Sequence, residues 1–292
     1  MFIVIIGIMP TFVEDQIMIA MNNEILTFAA VAVTLSWGLV SCSDKETEVT
    51  TYENTYEQTL VQDDSASVRI SHSIEYYKSL KGSKAPRGKI NDAIVRCCFG
   101  EEYAGLTVEE ASDAVSDTLI AGYQKDAGQS YEEYLAYSKD NGDDDYWNPA
   151  TFCNWYYRTS GGFGEEFMNL LTYQVLSESY TGGAHGMYYS IPYIIDMTTG
   201  EIVTENDLFL PGYVAPVTGL IKAKIKHEQG GDSFEGMFQE GMVPNGKCGV
   251  SIEGVTWFYQ PYEVASYAEG IIKVTISWTD LKPYLNPEYI KL

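Results

Sequence analysis

The chain has 292 residues, 45% hydrophobic and 20% charged, with only 10 prolines. This excludes a largely disordered chain and leaves room for one or two domains of ordinary size. Its 18 Lys and Arg stand against 41 Asp and Glu, a net charge of -23, a field that repels nucleic acid and attracts basic partners.

Met1 to Ser41 contains no Lys or Arg, and Ile25 to Val40 is nearly all apolar, broken by Thr27, Thr34 and Ser36. The stretch is short for a membrane span and ends in small residues, as a signal peptide does. Leu39-Val40-Ser41-Cys42 has the form of a lipobox, and the sequence turns abruptly polar at Ser43-Asp44-Lys45-Glu46. The expectation is a lipoprotein signal peptide over residues 1–42, with cleavage before Cys42 and lipidation of that cysteine. The positive segment that normally opens such a leader is missing, which points to Met21 as the true start. Glu14, Asp15 and Glu24 lie in the leader, so residues 43–292 carry 38 acidic and 18 basic residues, a net charge of -20. The address expected is the cell envelope, on the periplasmic side or at the cell surface, with the lipid as the only membrane attachment.

Residues 43–56, rich in Thr, Glu, Ser and Asp, read as a flexible tether. Val68, Ile70, His72 and Ile74 alternate with polar residues and predict a half-buried strand. Ile90, Ala93, Ile94, Cys97 and Cys98 share one face of a helix. A second helix starts at a capping box, Thr107 with Glu110, and presents Val108, Ala111, Val115 and Leu119. The acidic run Asp140 to Trp147 reads as a solvated loop, since it lacks the downstream Glu of a calcium-binding hand.

From Phe152 the pattern becomes mainly β. Strands are predicted at Trp155–Thr159, Leu170–Ser179, Met187–Asp196, Val250–Tyr259 and Ile271–Trp278, with a turn at Thr198-Thr199-Gly200. An amphipathic helix over Val217 to Ile225 interrupts them. The fold class expected is α+β, helices packed on one or two antiparallel β-sheets. Beyond Cys42, four cysteines remain, and at most one bridge is expected, from Cys97 or Cys98 to Cys153 or Cys248.

Three histidines are too few and too scattered for most metal or triad chemistry. His72 reads as a packed, hydrogen-bonded core residue, and His227 as a cation suited to a helix end. His185 sits in Tyr180-Thr181-Gly182-Gly183-Ala184-His185-Gly186, whose glycines permit positive φ and close backbone approach. No nucleotide-binding continuation or serine elbow follows this loop. Glu165 and Glu166 are adjacent and point to opposite faces, unlike a glycosidase pair. Aromatics crowd Trp155–Tyr157, Tyr188–Tyr193 and Trp257–Tyr267, and consecutive aromatics on a strand cannot all be buried on one face. Exposed Tyr and Trp on a rigid sheet suit protein or sugar binding.

The second half of the chain resembles the RsiV-type domain family (DUF3298). Three segments carry the resemblance: Tyr180 to Gly186; Asp196-Met-Thr-Thr-Gly200 followed by Asp207-Leu208-Phe209; and Tyr259-Gln-Pro261-Tyr262-Glu263 through Ala265-Ser266-Tyr267 to Gly270, with Leu281 to Leu285 after it. Where relatives often have Pro before the second Tyr of the last motif, this chain has Ser266. Residues 57–160 resemble the partner module (DUF4163, PdaC-like), and 161–292 the DUF3298 module. The resemblance implies an extracytoplasmic binding unit, as in lysozyme-sensing anti-sigma factors and beside polysaccharide deacetylase domains. A deacetylase would need an Asp/His/His metal set, and an anti-sigma factor a transmembrane helix with a cytoplasmic segment. Neither is seen in this sequence.

The function expected is therefore a non-catalytic, lipid-anchored binding protein, with no cofactor and no metal. Its candidate binding residues are Tyr180, Gly182, Gly183, His185, Tyr259, Pro261, Tyr262 and Tyr267. The partner expected is a basic protein such as lysozyme; the alternative is a cell-wall glycan, bound as an accessory module.

Overall fold

Alternation of apolar and polar residues builds the longest strands, and their register defines two sheets. The computed structural model describes residues 46–60, 66–141, 152–228 and 236–292. The leader, Cys42, and residues 142–147 of the acidic run lie outside the described residues. No helix among the described residues is long and apolar enough to cross a membrane.

The larger sheet has six strands in sequence order: β1 (Glu48–Thr59), β2 (Ser67–Ser79), β3 (Trp155–Phe167), β4 (Leu170–Tyr180), β5 (Met187–Asp196) and β6 (Ile202–Val203). All neighbours are antiparallel except β2 and β3, which are parallel. The expected antiparallel sheet is therefore mixed. A parallel pair needs a crossover, and here it carries α1 (Arg87–Phe99) and α2 (Val108–Asn141). The predicted capping box opens α2: the Thr107 N–H donates to Glu110 Oε2 at 2.9 Å, and the Glu110 N–H to Thr107 Oγ1 at 3.2 Å.

Both helices cover one face of this sheet. Ile90, Ile94, Cys97, Val108 and Ala111 pack on Ile74, Tyr173, Val175 and Ile195, while Tyr123 and Ala127 pack on Val68, Ile70 and Cys153. The opposite face is covered at its β4–β5 side by a three-stranded antiparallel sheet, β7 (Cys248–Val250), β8 (Gly254–Tyr259) and β9 (Ile272–Ser277). Beside it lie α3 (Glu205–Leu208), α4 (Val214–Glu228) and α5 (Trp278–Leu281). Neighbouring Ile194 and Ile195 divide between the two cores, as strand periodicity requires. Thr172 staples the sheets together, donating from Oγ1 to the Val250 carbonyl at 2.7 Å and accepting from the Val250 N–H at 2.8 Å.

Several expectations change. The tether predicted over 43–56 is instead, from Glu48 onward, the edge strand β1. Its even positions Tyr52, Asn54 and Tyr56 turn toward the helices, and Tyr56 Oη donates to Asp113 Oδ1 at 2.5 Å. Thr51, Glu53 and Thr55 occupy the solvent-facing odd positions. β3 runs past Thr159 through three glycines: a Cβ at Gly161 would overlap the Tyr173 hydroxyl and lie 2.7 Å from Cys98 Sγ, so glycine there lets both pack on the strand. The predicted strand Val250–Tyr259 is two strands joined by a turn at Ser251–Glu253. The division between modules at 160/161 falls inside β3. No disulfide joins Cys97, Cys98, Cys153 and Cys248 to one another, because Cys97, Cys153 and Cys248 are sorted into three separate cores.

Candidate binding site

The site forms where β3, β4 and β5 meet the segment after β8. Tyr156 and Tyr180 are register partners on adjacent strands, and their rings stack at 6.1 Å and 24°. Tyr180 also closes the loop that follows it, donating its hydroxyl to the Gly183 carbonyl at 2.8 Å. Gly182 and Gly183 have φ of 92° and 97°, a conformation that side chains strongly disfavour. A Cβ on Gly182 would also meet the Phe152 carbonyl at 3.0 Å. These two glycines turn the chain so that His185 reaches the second segment.

Gly186 is the junction. Its carbonyl accepts from His185 Nδ1 at 2.8 Å and from the Tyr267 hydroxyl at 2.9 Å. A carbonyl only accepts, so His185 donates through Nδ1. The Tyr262 hydroxyl lies 3.4 Å from His185 Nε2. The His185 ring packs on Tyr267 at 4.3 Å, and Tyr267 in turn meets Tyr188 edge-on and Tyr262, both at 5.6 Å. Burial, and then the phenols of Tyr188, Tyr156 and Tyr262, hold the Tyr267 hydroxyl above its ordinary pKa. Tyr262 has φ of 69°, unusual for a residue with a side chain, and is 51% exposed.

The loop Tyr180–Gly186 and the segment Tyr262–Tyr267 therefore converge on one exposed aromatic cluster. Ser266 has φ of -64°, within the range that proline fixes, so a proline at this position would keep the backbone path.

Two residues expected in the site are not exposed there. Tyr259 is fully buried, donates to the Val243 carbonyl at 3.0 Å, and sits with Trp257 and Val255 in the core under the small sheet. Burial, then the charges of Glu263 and Glu205, push its pKa up. Pro261 is buried as well. Odd positions of β8 face the core, and the chain turns outward only at Tyr262. Gln260 fixes that turn to the large sheet: its Oε1 accepts from the Ser190 N–H at 2.8 Å, and its Nε2 donates to the Ser190 carbonyl at 3.0 Å.

The structure adds Tyr156, Tyr188 and Phe238 to the cluster and its margin. Phe238 is 50% exposed, and its N–H donates to the Val264 carbonyl at 2.7 Å. The paired tyrosines 156–157 and 188–189 were the available signal, since one member of each pair must face away from the helices. Nothing local in the sequence marks Phe238.

The cluster offers aromatic faces, phenolic hydroxyls and one imidazole. No group of His, Cys, Asp and Glu among the described residues could hold a metal ion. Among the described residues the closest histidine–hydroxyl pair is elsewhere: His72 Nδ1 lies 2.6 Å from Ser112 Oγ, with both residues buried. Burial depresses His72 to a pKa of about 4, partly opposed by the charge of Asp113.

No curated protein matches this chain. The crystal structures similar to it include two of DUF3298 proteins. One is a DUF3298 family member from Bacteroides fragilis NCTC 9343, 19% identical, with a TM-score of 0.72 over 83% of this chain and 95% of that one. The other is a DUF3298 family protein from Pseudomonas aeruginosa PAO1, 14% identical, with a TM-score of 0.54 over 85% and 99%. At these identities the likeness concerns the fold. Residues 206–279, which include Tyr262 and Tyr267 but not the Tyr180–Gly186 loop, match the family model described as a protein of unknown function, DUF3298, so this part of the chain is a DUF3298 domain.

Proposed function

We propose that this chain is a lipid-anchored, non-catalytic binding protein of the cell envelope, and that the cluster around Gly186 receives a basic protein such as lysozyme. The convergence of Tyr180–Gly186 with Tyr262–Tyr267 carries the reading. Exposed tyrosines on rigid strands supply contact area at low entropic cost, and the rings here are already ordered by their contacts with one another. A net charge of -20 over residues 43–292 adds long-range attraction for a basic partner. The proposal also takes in the finer family reading, an RsiV-type sensor module preceded by a DUF4163-like half, and the anchor at Cys42.

Calorimetric titration with a c-type lysozyme over a range of salt concentrations tests it. Binding that weakens as salt rises is expected; absence of binding at low ionic strength refutes the proposal. One observation favours a glycan instead: Tyr156, 40% exposed, presents a ring on an open sheet face, where a sugar could stack. Sedimentation with insoluble peptidoglycan, together with indifference to lysozyme, would establish that second reading.

A further inference from the structure

We infer that the outer edge of β1, over Val49–Glu53, takes an extended basic peptide segment as an added strand of the six-stranded sheet. Neither the aromatic cluster nor the lipid anchor is needed for this.

Among the described residues, β1 is an edge strand bordered in the sheet by β2 alone. Successive residues of an antiparallel strand turn their backbone groups alternately toward the partner and away from it. On β1 the odd positions face away. The Thr55 N–H donates to Asn54 Oδ1 at 2.8 Å, and the Thr59 carbonyl accepts from Gln58 Nε2 at 2.9 Å. Thr55 Oγ1 also lies 3.5 Å from Oγ of its register partner Ser71, the close approach of a pair that exchanges no backbone bonds. The side chains of Asn54 and Gln58 thus cap the outer edge at Thr55 and Thr59. The same parity turns the N–H and C=O of Val49, Thr51 and Glu53 outward, where no described side chain or strand meets them.

An open edge recruits another strand unless Pro, Lys, a bulge or a covering element blocks it. Between Val49 and Glu53 there is no Pro or Lys, and the ladder with β2 is regular, its shift lying before them at Glu48/Val49. The strand is also held still from the helix side. The Tyr52 and Tyr56 hydroxyls lie 3.2 Å apart, Asn54 Nδ2 donates to Tyr52 Oη at 3.0 Å, and Tyr56 is tied to Asp113 on α2. An edge already ordered loses little entropy on binding.

Charge selects the occupant. Residues 46–66 carry Glu46, Glu48, Glu53, Glu57, Asp63 and Asp64 and no Lys or Arg, and Asp44 and Lys45 before them cancel. From β2, Lys78 reaches Glu48 at 2.9 Å and Arg69 reaches Glu57 at 2.5 Å. Lys81 stands beyond the open stretch, beside Thr47. Glu53 lies between the two ion pairs opposite Ser73, and Thr51 lies opposite Glu75. A second copy paired through β1 would set glutamates against glutamates. A peptide with Lys or Arg at every second position instead sets a cation opposite Glu53, and its intervening apolar side chains beside Tyr52. Main-chain bonds to Thr51 and Glu53 then supply the pairing, as in other strand additions.

Residue-resolved hydrogen–deuterium exchange of the protein with the peptide Lys-Val-Lys-Val-Lys-Val-Lys tests this. At ten times the peptide's Kd, the Thr51 and Glu53 amides are expected to exchange about tenfold more slowly. The same peptide methylated at every backbone nitrogen keeps its charge, loses its donors, and should leave both amides unprotected. Glu53→Lys should weaken binding of the unmethylated peptide about fivefold, by replacing an opposite-charge cross-strand pair with a like-charge one. Unchanged exchange at Thr51 and Glu53 in the wild type, or equal protection by the methylated peptide, overturns strand addition. Protection that rises with protein concentration in the absence of peptide assigns the edge to a second copy and overturns the basic occupant.

Discussion

Replacing Gly186 with Ala adds one carbon at the point where both halves of the site meet. The new Cβ would lie 2.8 Å from the Ser179 carbonyl and 2.9 Å from the Tyr156 hydroxyl. The carbonyl cannot give way cheaply, because Ser179 is paired with Met187 in the β4–β5 ladder. The tyrosine hydroxyl can move, at the expense of its position in the cluster. Overpacking of this kind costs about 1–3 kcal/mol, which for a domain of this size lowers Tm by roughly 2–4 °C per kcal/mol. The Gly186 carbonyl also accepts from His185 and from Tyr267, so any shift of the residue loosens both loops. Thermal unfolding followed by circular dichroism, paired with lysozyme titration, should show a lower midpoint and weaker binding together. A variant with the wild-type midpoint and undiminished affinity would refute the claim that Gly186 organises the cluster.

The remaining predictions concern a ring, a turn and a buried base. Tyr262→Ala should weaken ligand binding at least tenfold, as a hot-spot tyrosine does, with little change in Tm because the ring is half exposed; calorimetry and a melting curve read the two effects separately. Ser266→Pro should stabilise the fold by about 0.4–1 kcal/mol, since φ at Ser266 is already -64°; denaturant unfolding measures it. His72 takes up its proton at about 4 when folded and near 6.5 when unfolded. The unfolded chain therefore binds more protons between these values, and stability present above pH 6.5 is lost as pH falls toward 4, by about 3 kcal/mol in all. Urea unfolding at pH 7 and pH 4.5 should show a smaller difference for His72→Gln than for the wild type; identical differences would show that His72 does not contribute.

The sequence disclosed elements wherever period and chemistry agreed. β2 and β9 were legible from strict alternation, α1 from the spacing of Ile90, Ala93, Ile94 and Cys97, and the start of α2 from Thr107 and Glu110. β1 escaped because Thr and Glu dominate it, and polarity outweighed the every-second-residue spacing of Tyr52, Asn54 and Tyr56. The end of β3 escaped because its glycines read as a break, whereas Gly161 is the residue that lets Tyr173 and Cys98 pack on the strand.

The two loops of the site were each visible in the sequence, the first by its glycines and histidine, the second by its Tyr and Pro residues. That they meet was not visible, because the contacts of His185 with Tyr262 and of Gly186 with Tyr267 join residues some eighty positions apart. Tyr259 shows the same limit in reverse. Strand periodicity says that Tyr259 and Phe258 face opposite ways, but not which way is inward.

By itself the sequence determined the acidic charge, the α+β class, most strands and helices, and which loops could bend sharply, because those follow from composition and local periodicity. Only the tertiary structure decided that β2 and β3 run parallel, that four thiols stay apart, and that Tyr262 and Tyr267 join Tyr156, Tyr180 and His185 while Tyr259 is buried. These depend on which faces pack together, and that choice is made by the whole buried surface at once.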